Sequence, residues 1–62
     1  MDLPIELVQA FSIDPAIKDY FDTLPPSHQR EYIDYVESAK KPEARMRRAQ
    51  KVVEQLRLKP KN

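Results

Sequence analysis

Apolar residues along this chain recur with the 3.6-residue period of helices and fall into four blocks, each introduced by a proline. Leu7, Val8 and Phe11 share one face behind Asp2-Leu3-Pro4, which predicts a short first helix. Ile17, Tyr20, Phe21 and Leu24 follow at i, i+3, i+4 and i+7, with Asp14 as the expected cap and Pro15 in the first helical position. Pro25-Pro26 closes that block, because the residue before a proline is driven out of the α region. A third stripe runs through Tyr32, Ile33, Val36 and Ala39, with Tyr35 at its edge. Ser27 is its expected cap, Glu31 is expected in the first turn, and Lys40-Lys41 are expected in the last, where cations meet the negative end of the dipole. Pro42 separates it from the longest block, which reaches about Leu58 and places Met46, Ala49, Val53 and Leu56 on one side, with Val52 flanking. No β-alternation of useful length interrupts these stripes. The expected fold is therefore all-α, a compact bundle of three to four short helices over residues 1–58, with residues 59–62 as a frayed tail.

Composition narrows the chemistry. The chain has 62 residues, enough for one small domain, and neither glycine nor cysteine. Without glycine there is no phosphate-cradling loop or dinucleotide fingerprint. Without cysteine there is no disulfide framework, thiolate nucleophile or cysteine zinc site. No apolar run approaches the roughly 18 residues of a membrane span, and Met1-Asp2-Leu3-Pro4 lacks the basic and apolar parts of a signal segment, so a cytoplasmic protein is expected.

Catalytic and ligand-binding inventories are thin. Ser27 and His28 are neighbours at a helix start, where successive side chains diverge by about 100°, and so read as a cap and a solvent-facing imidazole. Asp19 with Asp22, Glu31 with Asp34, and Asp34 with Glu37 stand at helical spacing beside the apolar stripes and read as solvated faces. Phe11, Tyr20, Phe21, Tyr32 and Tyr35 read as core rather than as a platform for nucleobases, with Tyr20 and Tyr35 keeping their hydroxyls at the rim. No enzyme activity, cofactor, metal or small-molecule substrate is expected.

Charge is where the chain is unusual. A net charge of +1 conceals two unequal parts. Residues 1–37 hold two basic residues against eight acids, and residues 38–62 hold nine basic residues against Glu43 and Glu54. The two parts can face each other and neutralise, or the basic part can serve a partner. Arg45, Arg47, Arg48 and Lys51 lie within two turns of the last helix. They can pair with Glu31, Asp34 and Glu37 of the preceding helix, each exposed pair being worth about 0–1 kcal/mol. They can also grip an acidic protein partner or, as the alternative, the phosphates of nucleic acid. These four are the candidate partner-binding residues.

The run from Leu24 to Glu43, with Leu-Pro-Pro-Ser, Glu31-Tyr32 and Ala39-Lys40-Lys41-Pro42-Glu43 at their separations, resembles the helical C-terminal domain of the YdeI/OmpD-associated family, also called the bacteriocin-protection family. Arg45, Arg47, Arg48 and Lys51 match that family's basic stretch, and Val53, Glu54 and Leu56 its last helix. Asp14-Pro15 and Phe21 also fit, so the likeness covers about Leu7 to Leu56. Ala44, Tyr35 and Ala49 depart from the threonine, tryptophan and branched aliphatic common at those places. The resemblance implies an all-α bacterial domain linked by name to bacteriocin or antimicrobial-peptide tolerance and to association with an outer-membrane porin. It carries over no catalytic residues.

Overall fold

A computed structural model describes residues 3–58 of the chain, and every regular element in them is an α-helix: α1 (Ile5–Ile13), α2 (Pro15–Asp22), α3 (Pro26–Glu37) and α4 (Pro42–Leu58). The all-α expectation holds. Proline sets three of the four starts. Pro15, Pro26 and Pro42 each open a helix, where the missing N–H has no intrahelical partner to lose. Pro4 and Pro25 stand just outside α1 and α3 with ψ of 149° and 150°, extended values that break the chain direction before each helix begins.

Local chemistry departs from the sequence pattern at several of these ends. Neither Asp14 nor Ser27 makes a side-chain cap. Ser27 lies inside α3, whose cap residue is Pro25, and Asp14 turns its carboxylate to Arg57 instead. Glu31 stands beyond the first turn of α3, because the helix begins at Pro26 and Glu31 is its sixth residue. Lys40 and Lys41 fall in the α3–α4 connection rather than in the last turn of α3, which stops at Glu37. Asp2 and the expected frayed tail, residues 59–62, lie outside the described residues.

The core is built where the stripes meet. Leu7, Phe11, Phe21, Ile33, Val36, Ala49, Val52, Val53 and Leu56 form one buried cluster, with Ala39 buried as well and Ile17, Tyr20, Leu24 and Tyr32 packed partly against the cluster. Phe21 connects its two aromatic neighbours: its ring lies 5.1 Å from Phe11 and 6.3 Å from Tyr32, both tilted, which suits the ring quadrupoles. Burying side chains of this size is worth about 1.5–3 kcal/mol each before chain entropy is charged against it. Two residues placed on inner stripes by period alone do not stay there: Val8 and Met46 are exposed. The cause in α4 is a rotation of the buried stripe toward Val52, which is fully covered.

α4 is the spine, in contact with each of the other three helices. It runs alongside α1 in the same direction, as two ion pairs in register show: Glu6 with Arg45 at one end, 3.2 Å, and Asp14 with Arg57 at the other, 3.0 Å. It returns antiparallel along α3, bringing Arg48 back to Tyr35. The junction of α2 and α3 is tied by Gln29, whose Nε2 donates to the carbonyls of Phe21 and Asp22 at the end of α2 and of Leu24 just beyond it, at 3.0–3.3 Å.

Candidate partner-binding face

The four cations proposed from the sequence share α4 but not a role. Arg45 is turned inward. Its Nε donates to Glu6 Oε2 at 3.2 Å, and its Nη1 donates to the carbonyls of Glu37 and Ala39, each at 3.2 Å. Arg48 also reaches back to α3, where Nη1 donates to the Tyr35 carbonyl at 2.9 Å and to Ser38 Oγ at 2.7 Å, with the guanidinium 5.0 Å from the centre of the Tyr35 ring. The two guanidinium groups thus supply the positive charge and the donors that the carboxyl end of α3 needs. That task, expected of Lys40 and Lys41, falls to arginines from the next helix because α3 ends before the lysines.

Arg47 and Lys51 are different. Both are exposed, and neither has a hydrogen-bonding or ionic partner among the described residues. Spaced four residues apart, they stand one turn from each other on the outward side of α4. The expected pairing of the basic helix with the Glu31, Asp34 and Glu37 carboxylates does not form; the contacts to α3 run to backbone carbonyls and to a serine hydroxyl.

Beside Lys51 lies a groove of about 310 Å³ between α3 and α4, lined by Glu31, Tyr32, Tyr35, Lys51, Val52 and Gln55. Its floor is apolar through Val52 and the tyrosine rings, and its rim carries the Gln55 amide, the tyrosine phenols, the Lys51 ammonium and, on the α3 side, the Glu31 carboxylate. Tyr35 is 39% exposed and held against Arg48, so its ring is presented in a fixed orientation. Tyrosine and arginine together are the residue types that dominate binding energy at protein interfaces. Tyr35 and Gln55 were missed as site residues by sequence reasoning. The usable signal was the edge position of Tyr35 on its stripe; nothing in the periodicity placed Gln55 across from it.

Beneath this face, the Glu6 carboxyl is held below the usual carboxylate range by a hydrogen bond from its own backbone amide, one of the free N–H groups of the first turn, and by the Arg45 guanidinium, against a desolvation that pushes the other way. Its second oxygen, Oε1, is buried with no hydrogen-bond partner. The residues of the nucleophile inventory do not converge: Ser27 and His28 are exposed at the start of α3, while Ser12 and Ser38 donate to the backbone carbonyls of Gln9 and Tyr35 in their own neighbourhoods. Among the described residues no helix is long and apolar enough to cross a membrane.

Four short helices on one core, with an arginine-sealed α3–α4 hairpin, define a small all-α domain whose polar chemistry lies on its surface. The family model for bacteriocin-protection, YdeI or OmpD-associated proteins matches residues 1–58, and the chain belongs to that family. No curated protein and no solved structure matches it.

Proposed function

We propose that this domain is a non-enzymatic interaction module acting in the cytoplasm, and that its α3–α4 face docks an acidic segment of a protein partner in the service of bacterial bacteriocin tolerance. One observation carries the reading: Lys51 stays unpaired on a groove floored by Val52 and tyrosine rings and Arg47 unpaired one turn away, while Arg48 is engaged on Tyr35 of that groove and Arg45 on Glu6 and the carboxyl end of α3. An acidic segment would meet two desolvation-ready cations and an ordered aromatic surface in one place. The family assignment supports the setting, not the partner.

Nucleic acid is the less favoured occupant. Only two of the four cations, Arg47 and Lys51, are available, few for a phosphate chain whose affinity grows with each phosphate contact. The Tyr35 ring already has a guanidinium on it and offers less face to a nucleobase. The test is fluorescence anisotropy of a labelled glutamate- and aspartate-rich peptide and of a labelled DNA duplex, each titrated with the intact chain and with the Arg47→Glu/Lys51→Glu variant. The peptide is expected to bind, and the variant to lose at least tenfold in affinity with an unchanged helical circular dichroism spectrum. Equal binding by the variant, or tighter binding of the duplex than of the peptide, contradicts the proposal.

A further inference from the structure

The groove between α3 and α4 has walls of opposite charge. Lys51 stands on the α4 wall and Glu31 on the α3 wall, with Val52 and the tyrosine rings between them. Packing sets the two nearly level. Arg48 lies against Tyr35 in the antiparallel pair of helices, so one turn back along α3 and about one turn on along α4 bring Glu31 opposite Lys51 and Val52. Yet they do not pair. Among the described residues the ion pairs join Lys18 to Asp22, Arg45 to Glu6 and Arg57 to Asp14, and neither Glu31 nor Lys51 has a hydrogen-bonding partner.

An anion and a cation left open on either side of one apolar strip are one half of a charge pattern, and an occupant supplies the other half. The group that lies on Val52 must be apolar, because it takes the place of water over an aliphatic and aromatic floor. What projects from it toward α4 meets Lys51, with Arg47 one turn away, and is favoured as a carboxylate. What projects toward α3 meets Glu31, which repels a second carboxylate and attracts an ammonium or guanidinium. The Tyr35 ring competes little for that cation, because the Arg48 guanidinium already lies 5.0 Å from its centre. A groove of about 310 Å³ lies at the low end of the range for ligand pockets, so it accepts a short segment rather than a broad surface.

We infer that the segment docked in this groove carries an apolar residue with an acid on one side and a base on the other, and that Glu31 sets this preference. The inference rests on the docking of an acidic segment proposed above and narrows the occupant: Arg47 and Lys51 attract it, and Glu31 ranks segments by repelling those with acids on both sides.

Fluorescence anisotropy with three labelled peptides tests this. Each has a central leucine with glutamates on one side, and the other side carries lysine, glutamine or glutamate. Each is made in both chain directions, since the groove admits either. In the better direction, the intact chain should bind the lysine peptide most tightly and the glutamate peptide least, with steps of about two- to fivefold. Glu31→Gln should level the series and Glu31→Lys should invert it. Asp34→Asn removes an exposed acid from the same helix outside the groove lining and should leave the order unchanged. All these positions are exposed, so the helical circular dichroism spectrum should persist. Equal binding of the three peptides by the intact chain overturns the inference, as does a lysine preference that survives Glu31→Gln or is levelled equally by Asp34→Asn. In each of those cases, weaker binding by Arg47→Glu/Lys51→Glu leaves the docking itself standing. No binding of any peptide overturns both.

Discussion

Glu6 shows how one residue can be stabilised and under-satisfied at once. One oxygen accepts from Arg45, and the other is buried without a partner, yet the carboxylate stays the favoured form because its own amide and the guanidinium outweigh the desolvation. A native pKa below the unfolded value, about 4.3, means that the unfolded chain takes up the proton first as pH falls. The stabilisation is complete above that unfolded value and is lost as the pH descends through the native one. Thermal unfolding followed from pH 7 to pH 2 should therefore show Glu6→Gln melting below the parent chain at pH 7, with the gap narrowing as the pH drops below about 4. A gap that is constant across the range would remove the ionised carboxylate from the account. Glu6 was not legible as special in the sequence, where it is an acid in the first turn of a helix; its partner lies 39 residues away.

At the scale of elements, the helix ends separate what the pattern could tell from what it could not. Prolines and the 3.6 period located all four helices, because φ restriction and apolar periodicity act within a few residues. The capping assignments failed where the capping group comes from elsewhere: Arg45 and Arg48 serve the Glu37 and Tyr35 carbonyls of α3 from α4, Gln29 donates to the Phe21 and Asp22 carbonyls of α2 from α3, and Asp14 leaves its cap for Arg57. Such contacts depend on how helices cross, which no local window contains. The consequence can be measured. Arg48→Ala removes two donor contacts and the stacked cation from Tyr35, and should cost about 1–2 kcal/mol, or very roughly 4–16 °C of melting temperature in a domain this small. Lys40→Ala with Lys41→Ala, outside α3, should stay within about 0.5 kcal/mol. The reverse ranking in a calorimetric comparison would return the helix-terminal role to the lysines.

Across the whole molecule, the segregation of charge along the sequence is partly resolved by contacts between helices. Ion pairs at both ends of the α1–α4 contact absorb part of the basic excess internally, as the neutralising alternative required. The α3–α4 hairpin engages Arg45 a second time and absorbs one arginine more, Arg48, through carbonyls and the Ser38 hydroxyl rather than carboxylates. What is left outward on α4 is a mixed face with two unpaired cations, Arg47 and Lys51, near a tyrosine-lined groove. The basic cluster was visible in the sequence as four equivalent residues. Their division into two pairs was not, because helical period assigns a direction to each side chain but not the length of its reach, and arginine can turn a flanking position into an inward one.

That division of the cations is the claim on which the functional reading rests, and the Nε–H signals of the arginine side chains report it directly. In a titration of the ¹⁵N-labelled chain with the acidic peptide, Arg45, whose Nε donates to Glu6, should give a slowly exchanging Nε–H signal from the outset that does not move, and the Arg48 signal, held through Nη1, should not move either, while Arg47 should exchange rapidly at first and shift progressively as peptide is added. Movement of the Arg45 and Arg48 signals with Arg47 unaffected would contradict the account.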